Sequence, residues 1–90
     1  MASSFEILVH QNCSNTHLKL TGDFDETSAQ QLISALMKYC RIATTIFVHT
    51  NSLRHILPLG LRAFRVHMGA LRKGSVRLIF TGDHAPQLDA

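Results

Sequence analysis

The segment Thr44–Val66, TTIFVHTNSLRHILPLGLRAFRV, constrains the fold of this chain most: an apolar run, a short polar loop, and a helix opening with Pro58 and Gly60. Thr44 to His49 is β-branched and aromatic and too short for a helix, so it reads as a buried strand. A proline in the first helical turn forfeits no hydrogen bond, because that N–H has no intrahelical partner. The helix is therefore expected from about Pro58 to about Lys73, where Gly74 stops it. Ser75 to Phe80 then reads as a further strand.

Upstream, periodicity supplies two more strands and a helix. Phe5 to His10 and His17 to Thr21 read as strands, and the polar QNCSNT between them suits a hairpin connection. TGDFD reads as a turn in which Gly22 is free to take a positive φ and Asp25 or Thr27 is placed to cap the next helix. From Glu26 to Arg41 the apolar set Ala29, Leu32, Ile33, Leu36 and Cys40 falls at helical spacing. The expected architecture is an α/β domain of order β-β-α-β-α-β. It has a mixed sheet of about four strands, the later ones parallel through right-handed crossovers, with the helices on one face.

Ninety residues make a single domain, 1–90, with one modest core. With 46% hydrophobic and 17% charged residues the chain is globular rather than disordered. No apolar run reaches the roughly 18 residues of a membrane span. MASSFEILVH lacks the basic start and long apolar stretch of a secretory leader, so a cytoplasmic location is expected. Cys13 in a turn and Cys40 at a helix end form no metal-type or redox-type pair. Both read as reduced thiols, Cys40 within the core.

The words LKLTGDFDETSAQQL and VRLIFTG, flanking the Thr44–Val66 segment, give the chain a resemblance to the STAS domain of bacterial anti-sigma factor antagonists over about residues 5 to 82. The resemblance implies the same β-β-α-β-α-β fold, with Gly22 and Asp25 in the family's Gly-x-x-Asp turn and Gly60-Leu61 in the Gly-Leu of its central loop. Family members usually add another helix, whereas about ten residues follow Phe80 here. Either that end is trimmed, or a partner covers what the helix would have covered. Members that switch are phosphorylated on the first hydroxyl of an Asp-Ser-Ser/Thr-Gly-Leu run at the start of helix two. The matching position here is Pro58, flanked by Leu57 and Leu59, and His49 replaces the strand-end Asp. Phosphorylation at the family position is thus chemically impossible. Thr50 and Ser52 carry hydroxyls earlier in the loop; Ser52 is the candidate acceptor, set against the plainer reading of a solvated loop residue.

Charge singles out the same helix. Arg54, Arg62, Arg65, Arg72, Lys73 and Arg77 fall in one stretch without an acid among them, in a chain of formal net charge +3. Leu57, Leu61, Phe64, Met68 and Leu71 form the helix's core stripe, Arg62, Arg65, Arg72 and Lys73 lie about 110° round from it, and Leu59 and Val66 point almost directly away. Outward apolar residues rimmed by cations suit a docking surface for an acidic partner, made of Arg54, Pro58, Leu59, Arg62, Arg65 and Val66. The competing reading is that a neighbouring helix or second copy covers Leu59 and Val66 and that the arginines are a solvated face. Asp23, Asp25 and Glu26 make one acidic cluster, in which Asp25 reads first as a helix cap contributing about 1 kcal/mol.

Other chemistries find little support. A basic stripe can neutralise phosphates, but Phe64 faces inward and no Asn or Gln is aimed at bases, so no specific nucleic-acid binding is expected. Of six histidines, His49, His55 and His84, with Asp83, are placed to meet at the strand ends, yet no spacing sets a metal geometry. No metal or other cofactor is expected, and no catalytic constellation emerges. The resemblance implies a non-catalytic protein-interaction module that engages an anti-sigma factor or its kinase-like ATPase domain without the phosphorylation switch. The chain is also similar to small STAS-like subunits that bind the ATPase of a lipid-trafficking ABC transporter. Assembly into an oligomer is a further use open to the same fold.

Overall fold

The expected elements are all present in the computed structural model, which describes residues 5–12, 14–72 and 76–89, with the backbone alone for 70–72. They are β1 (Glu6–Asn12), β2 (Asn15–Phe24), α1 (Glu26–Tyr39), β3 (Thr45–Ile56), α2 (Pro58–Arg72) and β4 (Arg77–Thr81), followed by one turn of helix, α3 (Ala85–Leu88). The turn expected at Cys13, the helix stop at Lys73 and Gly74, the strand start at Ser75, and the side chains of Leu71 and Arg72 lie outside the described residues.

β1 and β2 form an antiparallel hairpin whose ladder runs on to Asn12 opposite Asn15, further into QNCSNT than the apolar alternation reaches. β3 and β4 add in parallel, giving the order β1-β2-β3-β4. Parallel crossovers follow one hand as a rule, so two in succession place α1 and α2 on one face of the sheet, where they pack on each other. Leu18, Leu20 and Phe24 of β2, Ile46 and Val48 of β3, Leu32 and Leu36 of α1 and Phe64 of α2 are fully buried. Phe5–Phe24, Phe24–Phe64 and Phe64–Phe80 cross edge to face at 6.0 Å, an arrangement that aromatic quadrupoles favour. By the strands' alternation, His17, Lys19, Phe47 and His49 point to the other face, which no described helix covers.

The main departure from expectation is β3. The sequence reads as a strand ending at His49 and a polar loop thereafter, but the strand continues to Ile56. Its ladder with β2 steps from Lys19↔His49 to Thr21↔Ser52 and from Gly22↔Leu53 to Asp23↔His55, so β3 gains one residue on β2 at each step. These bulges reset the inward face from Ile46, Val48 and Thr50 to Leu53, and the interrupted alternation disguises the strand as a loop. TGDFD is likewise the end of β2 rather than a free turn, with Gly22 at φ 92° in the irregular stretch.

Three smaller corrections come from local geometry. Leu57, expected in the core stripe, is 45% exposed. It precedes α2, where its N–H is held by the Phe24 carbonyl oxygen at 2.9 Å and the helical wheel does not apply. α1 ends at Tyr39 rather than Arg41, with Cys40 as its cap, half-buried against the core. The residues after Phe80 supply a helix of their own, α3, whose Leu88 is fully buried.

Candidate partner-docking site

α2 starts against the corner where β2 hands over to α1. Gly60 makes this approach possible: a Cβ there would lie 2.8 Å from the Asp25 carbonyl carbon, the Asp25 carbonyl oxygen and the Phe24 carbonyl oxygen. The corner itself is held by Asp25, whose Oδ1 accepts the Ser28 N–H at 2.8 Å. The Ser28 hydroxyl lies 2.9 Å from the same carboxylate oxygen and 2.8 Å from the Asp23 carbonyl oxygen, so its single proton is shared between them. The bond from the Ser28 backbone, followed by that from its hydroxyl, holds the Asp25 carboxyl below the usual carboxylate range. Asp25, not Thr27, is therefore the helix cap. The expected acidic cluster is partly engaged within the fold, since Asp23 Oδ1 also lies 3.8 Å from Arg54 Nε. That is a charge contact, too long for a hydrogen bond. The two side chains are 36% and 64% exposed, so the pair contributes at most about 1 kcal/mol.

With its first turn positioned, α2 turns the expected face outward. Leu59 and Val66 are 60% and 73% exposed, and Pro58, Arg62 and Arg65 are exposed beside them. Pro58, Leu61, Arg62, Arg65 and Val66 line one shallow, open depression. Arg65 Nη2 donates to the Gln87 carbonyl oxygen at 3.1 Å, which braces this rim on α3. Leu59 sits on the helix next to the depression without lining it, and Arg54 stands apart on the bulged end of β3 beside Asp23.

The hydroxyls of the supposed loop are placed differently. Ser52 is half-buried in the β2–β3 ladder opposite Thr21, in a strand rather than a loop. Thr50 is fully buried; its hydroxyl donates to the Thr81 carbonyl oxygen at 2.7 Å and accepts the His84 N–H at 3.2 Å.

The histidines do not meet as the sequence suggested. His55 is exposed opposite Asp23, while Asp83 and His84 approach β3 through backbone N–H groups, bonded to Asn51 Oδ1 and Thr50 Oγ1. His49 instead meets His17, its Nε2 lying 3.0 Å from His17 Nδ1 and its Nδ1 lying 2.7 Å from Thr81 Oγ1. Phe47 stacks on His17 at 4.7 Å. Burial first, then the neighbouring His17 and Lys19, push the His49 imidazole below its ordinary pKa. Sequence reasoning missed His17, although its place between inward Thr16 and Leu18 marks it as facing the open side. Among the described residues no three His, Cys, Asp or Glu side chains are grouped to hold a metal ion.

No family model matches the chain, and no curated protein does. Solved structures do. An anti-sigma factor antagonist from Mycobacterium paratuberculosis superposes with a TM-score of 0.65 at 17% identity, over 91% of this chain and 71% of that one. SpoIIAA, an anti-sigma factor antagonist of Bacillus, superposes in its unphosphorylated form with a TM-score of 0.62 at 18% identity, over 86% of this chain and 71% of its own. The fold is STAS-like. The same STAS-like arrangement recurs inside the larger protein Mglu, with a TM-score of 0.73 at 19% identity, covering 84% of this chain. This chain spans 19% of the length of Mglu. No described helix is long and apolar enough to cross a membrane.

Proposed function

We propose that this chain is a cytoplasmic, non-catalytic protein-interaction module of the anti-sigma factor antagonist kind, docking through the outward face of α2 and working without phosphorylation at the start of that helix. The observation carrying this reading is the exposure of Leu59 and Val66 around a depression rimmed by Arg62 and Arg65. Burying two such side chains on a partner contributes about 1.5–3 kcal/mol each. The cations set partner choice and speed of encounter more than affinity. The complementary surface is an apolar ridge with acidic flanks.

SpoIIAA has been observed both phosphorylated and unphosphorylated. Here Leu57, Pro58 and Leu59 offer no hydroxyl at the start of α2, which supports constitutive binding or control by abundance. Ser52 remains the candidate acceptor to test, and no label is expected on it when the chain is incubated with kinase and ATP, with Ser52→Ala as control.

A pull-down comparing wild type with Leu59→Asp/Arg62→Glu, read by mass spectrometry, tests the docking face. A kinase-like anti-sigma factor retained by wild type and lost by the variant is the expected result. An ABC transporter ATPase behaving in the same way would favour the lipid-trafficking alternative. Equal retention by both baits refutes the α2 face.

A further inference from the structure

β1 forms one edge of the sheet, so its outer row of N–H and C=O groups pairs with no described strand. Native sheets guard such an edge with proline, lysine, a bulge, or a covering helix or loop. β1 reads EILVHQN, without proline or lysine and with Glu6 at its start as the one charged residue, and its ladder with β2 is regular from Glu6 to Asn12. Leu8 is 56% and Val9 43% exposed. These neighbours point to opposite faces of the sheet, so among the described residues both faces are open at mid-strand, while Ile7 packs against the core.

We infer that this edge is a self-association surface: β1 pairs antiparallel with β1 of a second copy about a twofold axis through Leu8. Residues directly opposite share a face, so a twofold pairing at mid-strand centres on Ile7, Leu8 or Val9. Centred on Ile7, the Glu6 carboxylate faces an apolar Leu8; centred on Val9, Leu8 faces an imidazole. Centred on Leu8, Leu8 faces its own copy, Ile7 faces Val9 on both sides of the axis, and Glu6 faces His10 on both sides. Only this register sets each apolar side chain against an apolar one and each carboxylate against an imidazole, the pairings that stabilise neighbouring strands. Two four-stranded sheets would join as one continuous sheet. So short a contact buries less than the roughly 1,600 Å² of a standard interface, and the dimer is accordingly one that dissociates on dilution. The inference is independent of docking through α2, which links β3 to β4 at the other end of the strand order from β1.

Sedimentation equilibrium over a wide concentration range tests it. The expected result is a mass rising from 10.0 kDa towards twice that value. Leu8→Lys, which sets two ammonium groups against each other at an exposed position, should abolish the rise while leaving the circular dichroism spectrum unchanged. Glu6→Lys and His10→Glu should each weaken association roughly tenfold, through two symmetry-related pairs, and the double variant should restore it. A chain that stays at one-copy mass up to about 1 mM, or a dimer that Leu8→Lys does not affect, overturns the proposal. A double variant as weak as the singles overturns the register.

Discussion

Replacing Gly60 and Gly69 by alanine, one at a time, sets the same methyl group on the same helix in opposite circumstances. At Gly69 a Cβ meets nothing within 4 Å. That substitution narrows the freedom of the unfolded chain and raises helix propensity, a gain of about 0.5–1 kcal/mol. At Gly60 the same gain is opposed by three main-chain atoms at 2.8 Å, two of Asp25 and one of Phe24. Ordinary contacts of a Cβ lie at 3.4–4 Å, so roughly half an ångström or more is lacking. The neighbours cannot swing aside as a side chain would, since the Asp25 cap and the Leu57–Phe24 backbone bond at 2.9 Å hold them. Overpacking costs about 1–3 kcal/mol. With rigid neighbours the upper part of that range applies, which leaves a net loss of about 1–2 kcal/mol for Gly60→Ala. Each kcal/mol moves the melting temperature of a domain this size by about 4–8 °C, and urea titration gives the free energy directly. A Gly60→Ala variant as stable as wild type would refute the claim that the close approach at Asp25 sets where α2 begins.

Other expectations can be checked with the same denaturation assay. Asp25→Ala should cost about 1 kcal/mol, the worth of a lost N-cap, whereas Asp25→Asn, able to accept the Ser28 N–H, should keep most of it. Thr50→Val keeps the shape but leaves the Thr81 carbonyl and the His84 N–H without the hydroxyl, at about 1–3 kcal/mol. Acid should weaken the fold in two stages. His49 has a folded pKa below its ordinary 6.5, so the unfolded chain takes up that proton first and stability starts to fall below this value. Asp25, lowered from 3.8, contributes stability that is present above that value and lost as the pH falls further. A urea midpoint that rises between about pH 8 and about pH 5 would contradict this, and His49→Gln should remove the upper stage.

Several features were legible because they depend on neighbours in the chain. Asp25 was readable as a cap because the N–H it accepts comes from Ser28. Leu59 and Val66 were readable as outward because helical periodicity runs undisturbed from Pro58. The α/β order emerged from alternating short strands and helical runs. Leu57 was misread because it was counted on the wheel one residue before the helix begins.

The remaining misses involve partners far apart in sequence. β3 runs on to Ile56 because the end of β2 offers it a ladder, and two bulges make its outward pattern resemble a loop. His17 meets His49 across 32 residues, and Gly60 is required by backbone atoms of Phe24 and Asp25 on another element. Composition and local period settled which elements form and which faces are apolar, because helix and strand geometry act over a few residues. Register, bulges and close backbone contacts were settled only when the sheet assembled, because each depends on where a distant segment comes to lie.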